Sequence, residues 1–264
     1  MSKPSGAIDM TQGKPINLML RFALPMMIGS IFQSLYSMVD SAVLGRFVGS
    51  HALAAIGATT STTGLILLLA TGVTSAISIV LSQYVGANDT DRVRKGIVAS
   101  GWITLLLGVV LGLISVFAAR PLMQLLKTPE DVIDMSVLYI QIVCGCGIAQ
   151  FAYNAAASIL RALGDSKTPL YFLILCSILN VILDLISVIG LNMGVAGVAV
   201  ATIGSQAISA AICILVMFRK YPDLMPKRHT LRPDMPVSLK IFGMGAQMAL
   251  QSLFLSVGMM VITR

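Results

Sequence analysis

The chain has 264 residues, of which 56% are hydrophobic and 11% charged, with a formal net charge of +7 and a mean hydropathy of +0.90. Soluble domains average about 25% charged residues, so the composition excludes an ordinary soluble domain and specifies a polytopic helical membrane protein. A membrane β-barrel would alternate over roughly ten-residue segments, whereas the apolar runs here are long and rich in Leu, Ile, Val, Ala and Met.

In chain order, residues 1–17 are polar, lack a short apolar region with a cleavage site, and are read as a cytoplasmic segment. Six spans follow within 18–218. The first covers about 18–43 and contains Pro25, which removes a backbone hydrogen bond and predicts a kink. The second, about 53–84, has no charged or Pro-containing turn and reads as one long tilted helix. The third is about 97–118. The amphipathic stretch 119–132 is expected to lie at the membrane interface. The fourth, fifth and sixth spans are about 132–160, 169–190 and 195–218. A basic, Pro-rich stretch at 219–237 reads as an inter-lobe linker, and 238–264 as the start of a seventh span. That order predicts one lobe of a two-lobed protein and the beginning of its second lobe, because internal repeats are common in transporters.

Basic residues orient the map. With the N-terminus in the cytoplasm, Lys3, Lys14, Arg21, Arg92, Arg94, Lys95, Arg161, Lys167, Arg219, Lys220, Lys227, Arg228, Arg232 and Lys240 lie on or near the inner side, while Arg46, Arg120 and Lys127 lie outside. The positive charge therefore reads as membrane orientation, not nucleic-acid binding. His51 and His229 are isolated, and all four cysteines fall in apolar runs, so neither a metal spacing nor a disulfide framework is expected.

Two acids lie well inside spans, Asp40 and Asp184. A carboxylate in hydrocarbon costs roughly 2.5–3.5 kcal/mol on insertion scales, and such groups face polar cavities or bind ions. Helix rise places Asp184 about 22 Å up the fifth span, in the outer half. Asn180 is one turn below it on the same face. Thr202 on the sixth span and Tyr139 on the fourth reach a similar level. Asp, Asn and Thr oxygens suit a hard cation such as Na⁺, and a buried carboxyl suits H⁺. The alternatives are that Thr202 and Tyr139 only bond neighbouring helices, and that Asp40 is a rim residue paired with Arg46. Gly108 and Gly112 read as a packing motif. "GATTSTTG" (57–64) is either cavity lining or close packing.

"FALPMMIGSIFQSLYSMVDSAVLGRFVGSHALAAIG" (22–57) resembles the first-helix signature of the multidrug and toxic compound extrusion (MATE) transporters. "GANDTDRVRKG" (86–96) and "ILRALGDSKTPL" (159–170) are similar to that family's first cytoplasmic loop and its loop between helices four and five. The resemblance implies an all-α fold of twelve helices in two six-helix lobes, of which this chain carries the N-lobe and part of helix seven. It implies a multi-pass protein of the cell membrane and an antiporter, not an enzyme. Such a protein exports drugs or other toxic, often cationic, organic compounds in exchange for H⁺ or Na⁺, with membrane lipid and a C-terminal lobe as partners and no cofactor. In the branch related to DNA-damage-inducible proteins, the positions of Asp40, Tyr139, Asn180, Asp184 and Thr202 form a polar cluster. There the acid on helix one couples the ion, and the proline at Pro25 marks the helix bend. Two further readings are a lipid-linked-sugar flippase of the same superfamily and a nonfunctional truncated product. A flippase needs a basic cavity, and the spans hold almost no Arg or Lys beyond their ends.

Overall fold

The computed structural model describes residues 15–226 and 232–262, without the side chains of 15, 61, 65 and 256–262. Lys3, Lys14, Lys227, Arg228, His229 and Arg264 lie outside the described residues, as does most of the 1–17 segment. Eight α-helices follow in order, with no strand among the described residues: α1 Pro15–Val43, α2 Ser50–Gly86, α3 Thr90–Leu125, α4 Glu130–Gly145, α5 Ile148–Ala162, α6 Lys167–Asp184, α7 Gly194–Lys220 and α8 Met235–Ile262. Five of the helical segments are long and apolar enough to cross a membrane, and α4 with α5, bent by 43° at their break, passes the same test as a pair.

The short connections reverse the chain by local chemistry. Between α2 and α3, Asn88 takes a positive φ of 55° and Asp89 caps α3, accepting from the Arg92 amide at 3.0 Å. Between α5 and α6, Gly164 sits at φ 85° and Asp165 accepts from the Thr168 amide at 3.1 Å. Both similar loop motifs are thus a left-handed reversal followed by a carboxylate on the next helix's first amides.

Two spans differ from the sequence expectation. The stretch 119–132 does not separate as an interfacial segment, because α3 runs on to Leu125 with Pro121 inside it. Burial of Ala119 and Met123 against Val137, Ile140 and Cys144 holds that end of the helix in the bundle, so packing overrides a local helix breaker. The fourth span is broken at Cys146–Gly147. Gly112 explains the position of the break: a Cβ on it would sit 2.9 Å from the Gly145 carbonyl oxygen, and one on Gly108 would sit 2.9 Å from Ile148. The two glycines let α3 pass directly against the bend.

The largest core lies in the half of the bundle nearest the α2–α3 and α5–α6 turns. It joins α2 (Ile77, Val80, Leu81), α3 (Val93, Ile97), α5 (Ile159, Leu160), α7 (Cys213, Met217) and α8 (Val237, Ile241). A smaller cluster, Val43, Leu44, Ala52, Val188, Val195 and Val198, closes the opposite end, around the two π turns. α1 is the loosest member. Its buried positions Pro25, Gly29 and Val43, with the half-buried Tyr36 and Asp40, form one stripe at helical spacing. Gly29 seats that stripe on α6, where a Cβ would lie 3.1 Å from Leu173.

Candidate functional site

Asp40 and Asp184 come from α1 and α6, which pack side by side. Each helix gives way to a π-helical turn just beyond its acid: Leu44–Val48 after α1 and Leu185–Gly190 immediately after Asp184. The two π turns touch one another. Such turns within helices cluster at functional sites, and neither had a signal in the apolar sequence around it. After the first of them, Gly49 at φ +113° opens the turn into α2, a conformation only glycine takes without strain.

The two carboxyl groups meet within hydrogen-bonding range. Neither Asp184 oxygen, nor Oδ1 of Asp40, finds a protein donor. The two observations agree chemically: ionised carboxylates only accept, so a bond between them requires a proton on one. Asp184 is fully buried and Asp40 is half-buried on the bundle-facing stripe. α1 runs on past Asp40 to Val43 before the π turn, and Asp40 forms no ion pair with Arg46 among the described residues.

Asn180, one turn below Asp184 on α6, is 1% exposed, and both its amide nitrogen and its carbonyl oxygen lack protein partners. Buried amides and carboxyls are nearly always bonded. Asp40, Asp184 and Asn180 therefore form a compact group of uncommitted oxygens with one amide donor. Tyr139 of α4 lies near enough to both acids and to Tyr36 of α1 to feel their charge. Tyr36 is a neighbour of Asp40 that the sequence reading did not single out. Its spacing of four from Asp40 on the same helix face was the available signal. Thr202 of α7 is placed differently: its hydroxyl donates to the Val198 carbonyl at 2.9 Å within its own helix, leaving only lone pairs to offer. Pro25 lies on the buried stripe of α1 well inward of the acids.

The arrangement can hold a proton between two carboxyls, or a small hard cation among carboxylate and amide oxygens. Among the described residues no group of three or more His, Cys, Asp or Glu side chains is placed to hold a metal ion.

The family model MatE matches residues 25–186. A probable multidrug resistance protein, YpnP of Bacillus subtilis, is 32% identical over 97% of this chain and 57% of its own length. A second B. subtilis protein, YoeA, also described as a probable multidrug resistance protein, is 31% identical over 82% of this chain and 46% of its own length. The structure superposes with a TM-score of 0.87 and 26% identity on a solved multidrug resistance MATE transporter in an outward-facing conformation, covering 94% of this chain and 55% of that one. The chain thus spans about half the length of the relatives it matches. Five long apolar helices with the bent α4–α5 pair, and a family model that matches over most of them, lead to one conclusion: this chain is a multi-pass membrane protein of the MatE family.

Proposed function

We propose that this chain forms the ion-coupling lobe of a secondary antiporter that exports drugs or other toxic, often cationic, organic compounds in exchange for H⁺ or Na⁺. Residues 18–218 form the lobe, 219–237 the linker, and 238–264 the first part of a second lobe that supplies the other side of the substrate cleft. The N-terminus is cytoplasmic, because the basic ends and loops lie at that face.

The observation that carries the reading is the meeting of Asp40 and Asp184 above Asn180, with both Asp184 oxygens and Oδ1 of Asp40 unpartnered. A cation bound there offsets one of the two negative charges, relieves the repulsion between the facing acids and draws α1 onto α6. Its release lets α1 swing, with Pro25 as the point of weak backbone bonding. Loss or gain of one proton or Na⁺ then reshapes the face that α1 presents to substrate. The test is Asp40→Asn in the full-length transporter, with efflux of a fluorescent cationic dye as readout. Export should fall at least tenfold while membrane insertion is unchanged; undiminished export would overturn the mechanism.

A further inference from the structure

The segment between α7 and α8 is held at two places by adjacent residues of α3. Arg94 donates from Nε and Nη2 to the Asp223 carbonyl oxygen, at 2.8 and 2.6 Å. Lys95, the next residue, lies 3.4 Å from the Asp234 carboxylate. Asp223 follows α7, and Asp234 immediately precedes α8. Asp234 also accepts from the Val237 amide at 3.2 Å and so caps α8. Further along α8, Lys240 donates to Gln83 Oε1 at 3.2 Å and stands 5.0 Å over the Tyr84 ring, both in the last turn of α2. The α2–α3 turn therefore grips the segment after α7 and the start of α8 together.

Beneath these surface contacts lies an apolar seal. Val237 and Ile241 of α8, with Leu224, are buried in one cluster with Leu81 of α2 and Val93 and Ile97 of α3. The seal ends at a close crossing of backbones: a Cβ on Gly245 would lie 3.0 Å from the Cα of Val73. Beyond Ala249 the same row of α8 is only half-buried, at Leu253. The α2–α8 contact is thus tightest at the end that carries the α2–α3 turn.

The charged contacts are built to exchange. Lys95 has a second partner, Asp91 of its own helix, at 3.1 Å. If Asp234 leaves, Lys95 keeps a carboxylate and no buried charge is stranded. The Lys95 and Asp234 side chains are 46% and 25% exposed, and a pair so open to water shifts an equilibrium by about fivefold at most. Such a contact can release and re-form. The fully buried Asp165 carboxylate, holding Lys220 at 2.6 Å, has no such alternative.

We propose that the α2–α3 turn is a latch. Arg94 fastens the segment that leaves the first lobe, while Lys95 to Asp234 and Lys240 to Gln83 hold the first helix of the second lobe shut against α2. The last two contacts release when the lobes part at this end. This rests on the reading above that residues 238–264 begin a second lobe that moves.

The test uses the full-length protein with one reporter thiol added, by Val237→Cys or, one turn deeper, by Ile241→Cys. Both positions are buried while the latch is shut. A small water-borne maleimide is applied, and labelling at each position is followed by peptide mass spectrometry. Asp234→Asn removes the charge and keeps a capping side chain; Lys95→Gln removes the partner charge. Each should speed labelling at both positions about two- to fivefold. The two together should speed it no more than one alone, as residues of one pair do. Raising salt from about 0.05 to 0.5 M should speed labelling of the parent and leave the double variant unchanged. Unchanged rates in the single variants, or effects that multiply in the double, overturn the latch. A rise at position 237 alone means that only the first turn of α8 frays, and overturns it too. Failure of the unaltered protein to export a cationic dye sinks the antiporter reading instead, and the labelling rates still decide the latch.

Discussion

Asp40 of α1 and Asp184 of α6 present their carboxyl groups to each other, 144 positions apart in sequence and within hydrogen-bonding range in the fold. Two acceptors facing each other repel unless a proton or cation lies between them. Replacing one with an amide supplies a donor without changing shape. Asp184→Asn should therefore raise stability at neutral pH by about 1 kcal/mol, read as a higher melting midpoint in detergent, while ion-coupled transport is lost. A lower midpoint would mean that the two groups do not meet in the folded protein.

The Asp165–Lys220 ion pair predicts an asymmetry. Lys220→Met strands a carboxylate that is 1% exposed and should cost about 3–5 kcal/mol. Asp165→Asn should cost less, about 1–3 kcal/mol. The amide oxygen still accepts from the Thr168 amide, and Lys220 can turn to solvent. Thermal unfolding of the two single variants measures the order, and equal losses would contradict it.

Tyr221, just beyond α7, gives a pH dependence. Burial first, and then the nearby Asp165 carboxylate 3.4 Å from its hydroxyl, push its phenol well above the ordinary range. The unfolded phenol ionises near pH ~10. The folded protein holds Tyr221 neutral, so its contribution is complete below that pH and is lost as the pH rises above it. The wild-type melting midpoint should drop more steeply above about pH 10 than that of Tyr221→Phe. Parallel curves would remove Tyr221 as the cause.

The crossing of α2 and α8 depends on one hydrogen atom. A Cβ on Gly72 would lie 2.8 Å from both the Cβ and the amide nitrogen of Ala249, and 2.9 Å from the Gly245 carbonyl oxygen. Backbone cannot yield as a side-chain tip can, so Gly72→Ala should destabilise by about 1–3 kcal/mol. Gly101→Ala, on α3 with nothing within 4 Å of its Cβ position, should instead gain about 0.5–1 kcal/mol of helix propensity. The two midpoints should move in opposite directions.

Hydropathy, the spacing of basic residues and the cost of a carboxylate in hydrocarbon were enough to read from sequence a multi-spanning helical membrane protein and to single out Asp40, Asp184 and Asn180. Those signals are local: each follows from transfer free energy or from a four-residue interval on one helix. Pairwise contact was not legible. That Asp40 meets Asp184, and that Tyr139 comes near both, depends on how α1, α4 and α6 are rotated about their axes. An apolar helix fixes that rotation only through its neighbours. The same holds for the break at Cys146–Gly147 and for the helical run past Pro121. The sequence alone determined which groups cannot rest in lipid, because water-to-lipid transfer is a property of the residue. Tertiary structure decided which of them share a site, because that is set by packing between segments far apart in the chain.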